Sequence, residues 1–162
     1  MSLFNRRSVL LMTAALAGCG FTPAYGPSGT ASVLMNQVVI DEPTGNNTYL
    51  LVRELEGRLG RVSSGKYGLS VSVTSEQRSI AKSISGVTSR YDVLATADYA
   101  LRDLDTKEVL TSGKVDSFTG YSTTGSTVAT LAAETDAYER LMVILADQIL
   151  SKLVIFSPNL AQ

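Results

Sequence analysis

The chain of 162 residues contains no histidine and a single cysteine. Without histidine there is no Ser-His-Asp triad, no Cys-His pair and no imidazole ligand for zinc. One cysteine cannot close an internal disulfide, so thiol content says nothing about whether the compartment is oxidising. Carboxylate-only or serine–lysine chemistry needs a cluster of groups, and the sequence presents none, nor any metal or cofactor motif. The expectation is a protein that is not an enzyme. A surplus of positive charge is also missing: fourteen basic residues stand against fifteen acidic ones. That balance argues against a nucleic-acid binder, whose affinity rests on clustered cations. The apolar run over residues 9–18 is short of the roughly 20 residues that a membrane span requires.

What the N-terminus does contain is ordered. Asn5-Arg6-Arg7-Ser8 is a basic n-region, Val9-Leu10-Leu11-Met12-Thr13-Ala14-Ala15-Leu16 an apolar h-region, and Leu16-Ala17-Gly18-Cys19 a small-residue cleavage site. Taken alone, the lone cysteine would read as a small buried apolar side chain. In this place it stands at the cut, and the pattern resembles a bacterial lipobox. The resemblance implies that residues 1–18 are removed as a lipoprotein signal peptide and that the Cys19 thiol receives lipid. A thiol has the nucleophilicity that this attachment needs. Removing Arg6 and Arg7 leaves twelve basic against fifteen acidic residues, a net of −3. The Arg6-Arg7 pair leaves export by the general or the twin-arginine route open. Gly20, where an aspartate would hold such a lipoprotein at the inner membrane, permits delivery to the outer membrane.

Residues 19–32 read as the lipidated N-terminus and a tether. Pro23 and Pro27 break any regular ladder, and Phe21 and Tyr25 are aromatic anchors unless the segment is simply a linker. Residues 33–40 are rich in β-branched side chains and predict a first strand, ended by Asp41-Glu42-Pro43. Asn46-Asn47-Thr48 offers N-cap side chains. Leu51, Leu55, Leu59 and Val62 then form one stripe of an amphipathic helix.

Leu69, Val71 and Val73 alternate with Ser70, Ser72 and Thr74, the period of a half-buried strand. The pattern breaks over residues 77–86, which predicts a loop turning at Gly86. A long strand follows over residues 89–104. In it Tyr91, Val93, Ala95, Ala97, Tyr99 and Leu101 face one way, and Asp92, Thr96, Asp98 and Arg102 the other. After a connection at Asp103-Leu104-Asp105-Thr106-Lys107, residues 108–121 predict a further strand, irregular around Gly113 and Gly120. Residues 122–126 read as a loop. Leu131, Thr135, Tyr138, Met142, Leu145, Ile149 and Leu153 form the stripe of a long helix that Phe156-Ser157-Pro158 stops. Glu134, Asp136, Glu139, Arg140 and Asp147 argue against that helix spanning a membrane.

The order β-α-β-β-β-α predicts an α+β two-layer sandwich, with two helices on one face of a four-stranded mixed sheet. The first strand–helix–strand unit should give a parallel pair, with antiparallel hairpins after it. The folded domain is expected over residues 33–157, with a tail at 158–162.

At this point the chain resembles the LPS-assembly lipoprotein LptE family. The likeness lies in Leu16-Ala17-Gly18-Cys19-Gly20-Phe21-Thr22-Pro23-Ala24-Tyr25-Gly26 and in the element order. It lies also in Ser79-Ile80-Ala81 followed by Gly86-Val87-Thr88-Ser89-Arg90-Tyr91-Asp92-Val93. The resemblance implies a lipoprotein at the periplasmic face of the outer membrane, held there by its N-terminal lipid. It also implies assembly with an LptD-type β-barrel, which members plug for transport of lipopolysaccharide to the cell surface. For the phosphates of that ligand the nearest basic residues are Arg78, Lys82 and Arg90, otherwise the solvated charges of a loop. Another periplasm-facing envelope lipoprotein, such as an auxiliary subunit of a lipid-trafficking transporter, is the alternative.

Overall fold

The structure, a computed structural model, describes residues 29–82, 88–123 and 126–160. Cys19, the tether through Ser28 and the turn at Gly86 lie outside the described residues. The elements are β1 (Val38–Ile40), α1 (Asn46–Leu59), β2 (Tyr67–Lys82), β3 (Thr88–Asp103), β4 (Val109–Ser122) and α2 (Thr127–Phe156). Short 3-10 turns occupy Thr30–Val33 and Ser157–Leu160. The sheet order is β1-β2-β3-β4, parallel between β1 and β2 and antiparallel beyond. This is the expected α+β sandwich. The helices pack on each other and on the sheet, and their buried stripes (Leu51, Leu55 and Leu59 on α1; Leu141, Leu145, Ile149 and Leu153 on α2) join one cluster with Leu69, Val93, Ala97 and Leu101.

Four boundaries differ from the expectation, each for a visible reason. The first strand is only three residues long, because Leu34 turns inward and the chain folds back at Asn36. That residue sits at φ 56°, and its N–H donates to the Leu59 carbonyl at 2.7 Å. α1 ends at Leu59 rather than Val62, since Gly60 follows at φ 90°. A Cβ on Gly60 would lie 2.1 Å from Asn36 Oδ1, so the turn and the helix end require each other. The N-cap is Gly45 and no side chain caps the helix; Asn47 instead donates to Ser75 Oγ at 3.0 Å.

The largest difference lies in β2. Residues 77–82 continue the strand, paired to β3 as far as Lys82 opposite Thr88, with irregularities between Ser79 and Ala81 and at Lys82. The period of two fades because the inward position Gln77 is polar. Its amide donates to the Tyr121 hydroxyl and, at 3.4 Å, to Glu134. β4 runs unbroken through both glycines. Gly113 leaves room for the Tyr99 ring, whose hydroxyl would sit 2.8 Å from a Cβ there. At the other end of the sheet Arg102 donates to both oxygens of Asp41 (2.8 and 2.6 Å), a bidentate pair that ties β3 to the chain leaving β1.

α2 is long and apolar enough to cross a membrane by length and composition, but its stripe is the core of the two-layer fold. Its first turns are different. Leu131 and Thr135, expected on the buried stripe, are exposed.

Candidate functional site

The helices cover one face of the sheet and leave the other open. Strand alternation puts Ser70, Ser72, Thr74, Glu76 and Arg78 of β2 on that open face. They are joined there by Arg90, Asp92, Leu94, Thr96 and Asp98 of β3, and by Ser112, Lys114, Asp116 and Phe118 of β4. The basic residues singled out above fall at its far end. Arg78 pairs in register with Asp92, and its guanidinium bonds Glu76 two residues back on the same face. Arg90 Nε stands 4.0 Å from Asp92 Oδ1. Lys82 is placed by its backbone at the last rung of the hairpin, opposite Thr88. Arg78 therefore belongs to a strand, not a loop, and shares one face with Arg90.

What residue counting missed is the set of partners. Glu76-x-Arg78 and Arg90-x-Asp92 place acid and base two apart on each strand, which sends both to one side. Gly120 faces Asp92 from β4, and a Cβ there would lie 2.9 Å from Asp92 Oδ1 and 3.4 Å from Arg90 Nη2. The glycine keeps space for the pair. Beneath it, on the helix side, the rings of Tyr91 and Tyr121 stack with centroids 5.5 Å apart. Burial, then the neighbouring Glu134 and Tyr91, push the Tyr121 phenol above its ordinary value, so it stays neutral at physiological pH. Both guanidiniums keep more than half their surface exposed and are permanently charged. Such a group donates charged hydrogen bonds to an anion; it offers neither nucleophile nor base. Among the described residues no three carboxylates gather in a metal-holding cluster.

With that geometry in place, comparison with known proteins decides the relationship. The family model LptE, lipopolysaccharide-assembly, matches residues 35–153. The chain belongs to the LptE family. The LptE match runs from the turn before β1 to the last turn of α2 and takes in the whole open face. No curated protein matches the sequence.

Solved structures share the LptE fold of this chain. A candidate lipoprotein from Caulobacter crescentus CB15 is 24% identical, with a TM-score of 0.69, covering 82% of this chain and 98% of that one. The rare lipoprotein B from Shewanella oneidensis is 15% identical with a TM-score of 0.58, over 78% and 98% of the two chains. An uncharacterized lipoprotein B from Nitrosomonas europaea is 18% identical with a TM-score of 0.57, over 76% and 85%. At these identities the likeness is one of fold.

Proposed function

We propose that this LptE-family chain is a lipoprotein of the outer membrane, fastened at its periplasmic face through lipid on Cys19. In this reading it assembles with and plugs an LptD-type β-barrel that carries lipopolysaccharide to the cell surface, and it catalyses no reaction. The observation that carries the reading is the LptE match over residues 35–153. Two features support it further. The open sheet face is rich in hydroxyls, which suits contact with the polar interior of a barrel. The chain also has polarity along its length. The N-terminal turn at Thr30–Val33 contacts the C-terminal turn at Ser157–Leu160, near the start of β2. Arg78 lies eleven residues further along β2, about 36 Å at roughly 3.3 Å per residue. An anchor entering at that end would lie far from the arginines at the other.

The deciding experiment is a pull-down of the lipidated protein from detergent-solubilised envelope. Co-purification of a large β-barrel is the expected result. Recovery of an inner-membrane transporter, or of no partner, overturns the reading. In the same reading Arg78, Lys82 and Arg90 contact lipopolysaccharide phosphates. Charge reversal would crowd new carboxylates against Glu76 and Asp92, so neutralisation is the cleaner variant. Arg78→Gln, Lys82→Gln and Arg90→Gln together are expected to weaken lipopolysaccharide binding about tenfold or more. Each charged hydrogen bond contributes about 1.5–3 kcal/mol. The melting temperature should stay nearly unchanged, because exposed ion pairs add little. Unchanged binding would remove the three residues from the ligand site.

A further inference from the structure

Among the described residues, α2 carries two exposed isoleucines, Ile144 (36% exposed) and Ile155 (75%), on the helix that packs against β4, the strand that ends the sheet. Two hydrogen bonds set the helix against this edge. Arg140 donates to the Gly120 carbonyl at 3.5 Å and Gln148 to the Asp116 carbonyl at 3.3 Å. Eight helical residues at about 1.5 Å match four strand residues at about 3.3 Å, so α2 runs antiparallel beside the edge. The same spacing sets Val115 level with Leu150. Because a strand's backbone groups alternate, Ser112, Lys114 and Phe118 turn their N–H and C=O to the edge along with Asp116 and Gly120.

We propose that this side is a homodimer interface, in which a second copy of the chain adds its β4 antiparallel to β4 across a two-fold axis at Val115. The pattern of side chains is its own complement about that axis. Lys114 of each copy stands opposite Asp116 of the other, so two opposite-charge pairs form, whereas a shift of two residues on either strand sets like charges opposite. The N–H of Lys114 reaches the Asp116 carbonyl that Gln148 covers in the single chain. On the helix the same axis falls between Gln148 and Ser151. Ile144 and Ile155 lie equally far on either side of it, so Ile144 of one copy meets Ile155 of the other, and Gln148 meets Ser151. The strand and the helix thus carry separate symmetric patterns with one common centre. A dissimilar partner has no need of that symmetry; a second copy requires it. Pairing withdraws the isoleucine side chains from water and joins the sheets into one of eight strands.

The test uses the chain from residue 19 onward with Cys19→Ser, which leaves no thiol and takes nothing from the described core. Light scattering or sedimentation from low micromolar to near-millimolar concentration should show twice the chain mass at the upper end. Ile144→Glu with Ile155→Glu should hold the chain monomeric without lowering its melting temperature at low concentration. A mixture of the Ile144→Cys and Ile155→Cys variants should cross-link on oxidation far more than either alone. Like residues would stand about 16 Å apart along the helices, beyond disulfide reach. A monomer over the whole range, a dimer indifferent to the glutamates, or equal cross-linking in the single-variant samples each overturns the proposal. So does loss of a captured barrel by the glutamate variant of a chain that stays monomeric, which would give this side to the barrel.

Discussion

Cys19→Ala is expected to abolish lipidation, and with it the mature form of the protein. The variant should keep the mass of residues 1–18, lack acyl mass and fail to fractionate with the outer membrane. The physical basis is local and sequential. In the proposed reading only a thiol at the cut supplies the nucleophile for lipid attachment, and position 19 holds the chain's single cysteine. Attachment strength then follows from hydrocarbon burial, about 0.8 kcal/mol per methylene. One chain binds marginally and several bind firmly, so loss of the modification should move the protein between compartments rather than shift an equilibrium slightly. Intact-mass spectrometry with membrane fractionation reads both effects. A normal mass and a normal fractionation pattern in the alanine variant would refute the assignment of Cys19.

Leu145→Ala should be strongly destabilising to the folded body. Leu145 is fully buried midway along α2, in the cluster that joins both helices to the sheet. Truncation removes the transfer free energy of the side chain and leaves a cavity that rigid strands on one side and α1 on the other cannot close. Losses of about 2–5 kcal/mol are typical of such sites. Near 3 kcal/mol, a domain of this size should melt about 10 °C lower. Ile155→Ala on the same helix is the internal control, because its side chain is exposed and the monomer should lose no more than about 0.5 kcal/mol. Thermal unfolding at low protein concentration makes the comparison. A small effect at Leu145, or an equal one at Ile155, would contradict the packing described.

Period-two alternation in Leu69, Val71 and Val73, and again from Tyr91 to Leu101, identifies the inward face of β2 and β3 without a structure. The stripe from Tyr138 to Leu153 does the same for α2. These patterns report burial, and burial is one-sided in a two-layer fold. The pattern fails where burial stops. Gln77 and Ser79 face inward beyond the dense part of the core, so the strand continues there through backbone pairing and polar contacts such as that of Gln77 with Tyr121, which leave no hydrophobic alternation in the sequence. Leu131 fails in the opposite sense. It has the right spacing but lies at the end of α2 that stays exposed. Val33 and its neighbours have strand propensity, yet the tie between Asn36 and Leu59 folds them into a turn. The basic residues of the candidate site were visible as charges. Their partners were not, because Arg90, Asp92 and Gly120 meet across a sheet whose register is set by the two hairpins.

The sequence by itself set the expectation of export with Cys19 as the lipid-bearing anchor, excluded histidine chemistry and determined the two-layer class of the fold. Each depends on residue types at short spacing, where chemistry and periodicity act locally. Only the tertiary structure decided that Arg78 and Arg90 share the open face with their own counter-charges. It alone set Ile144 and Ile155 beside the edge of β4. Those relations join residues tens of positions apart, and they arise from how strands pair and helices settle on them, a choice made by the whole core rather than by any one segment.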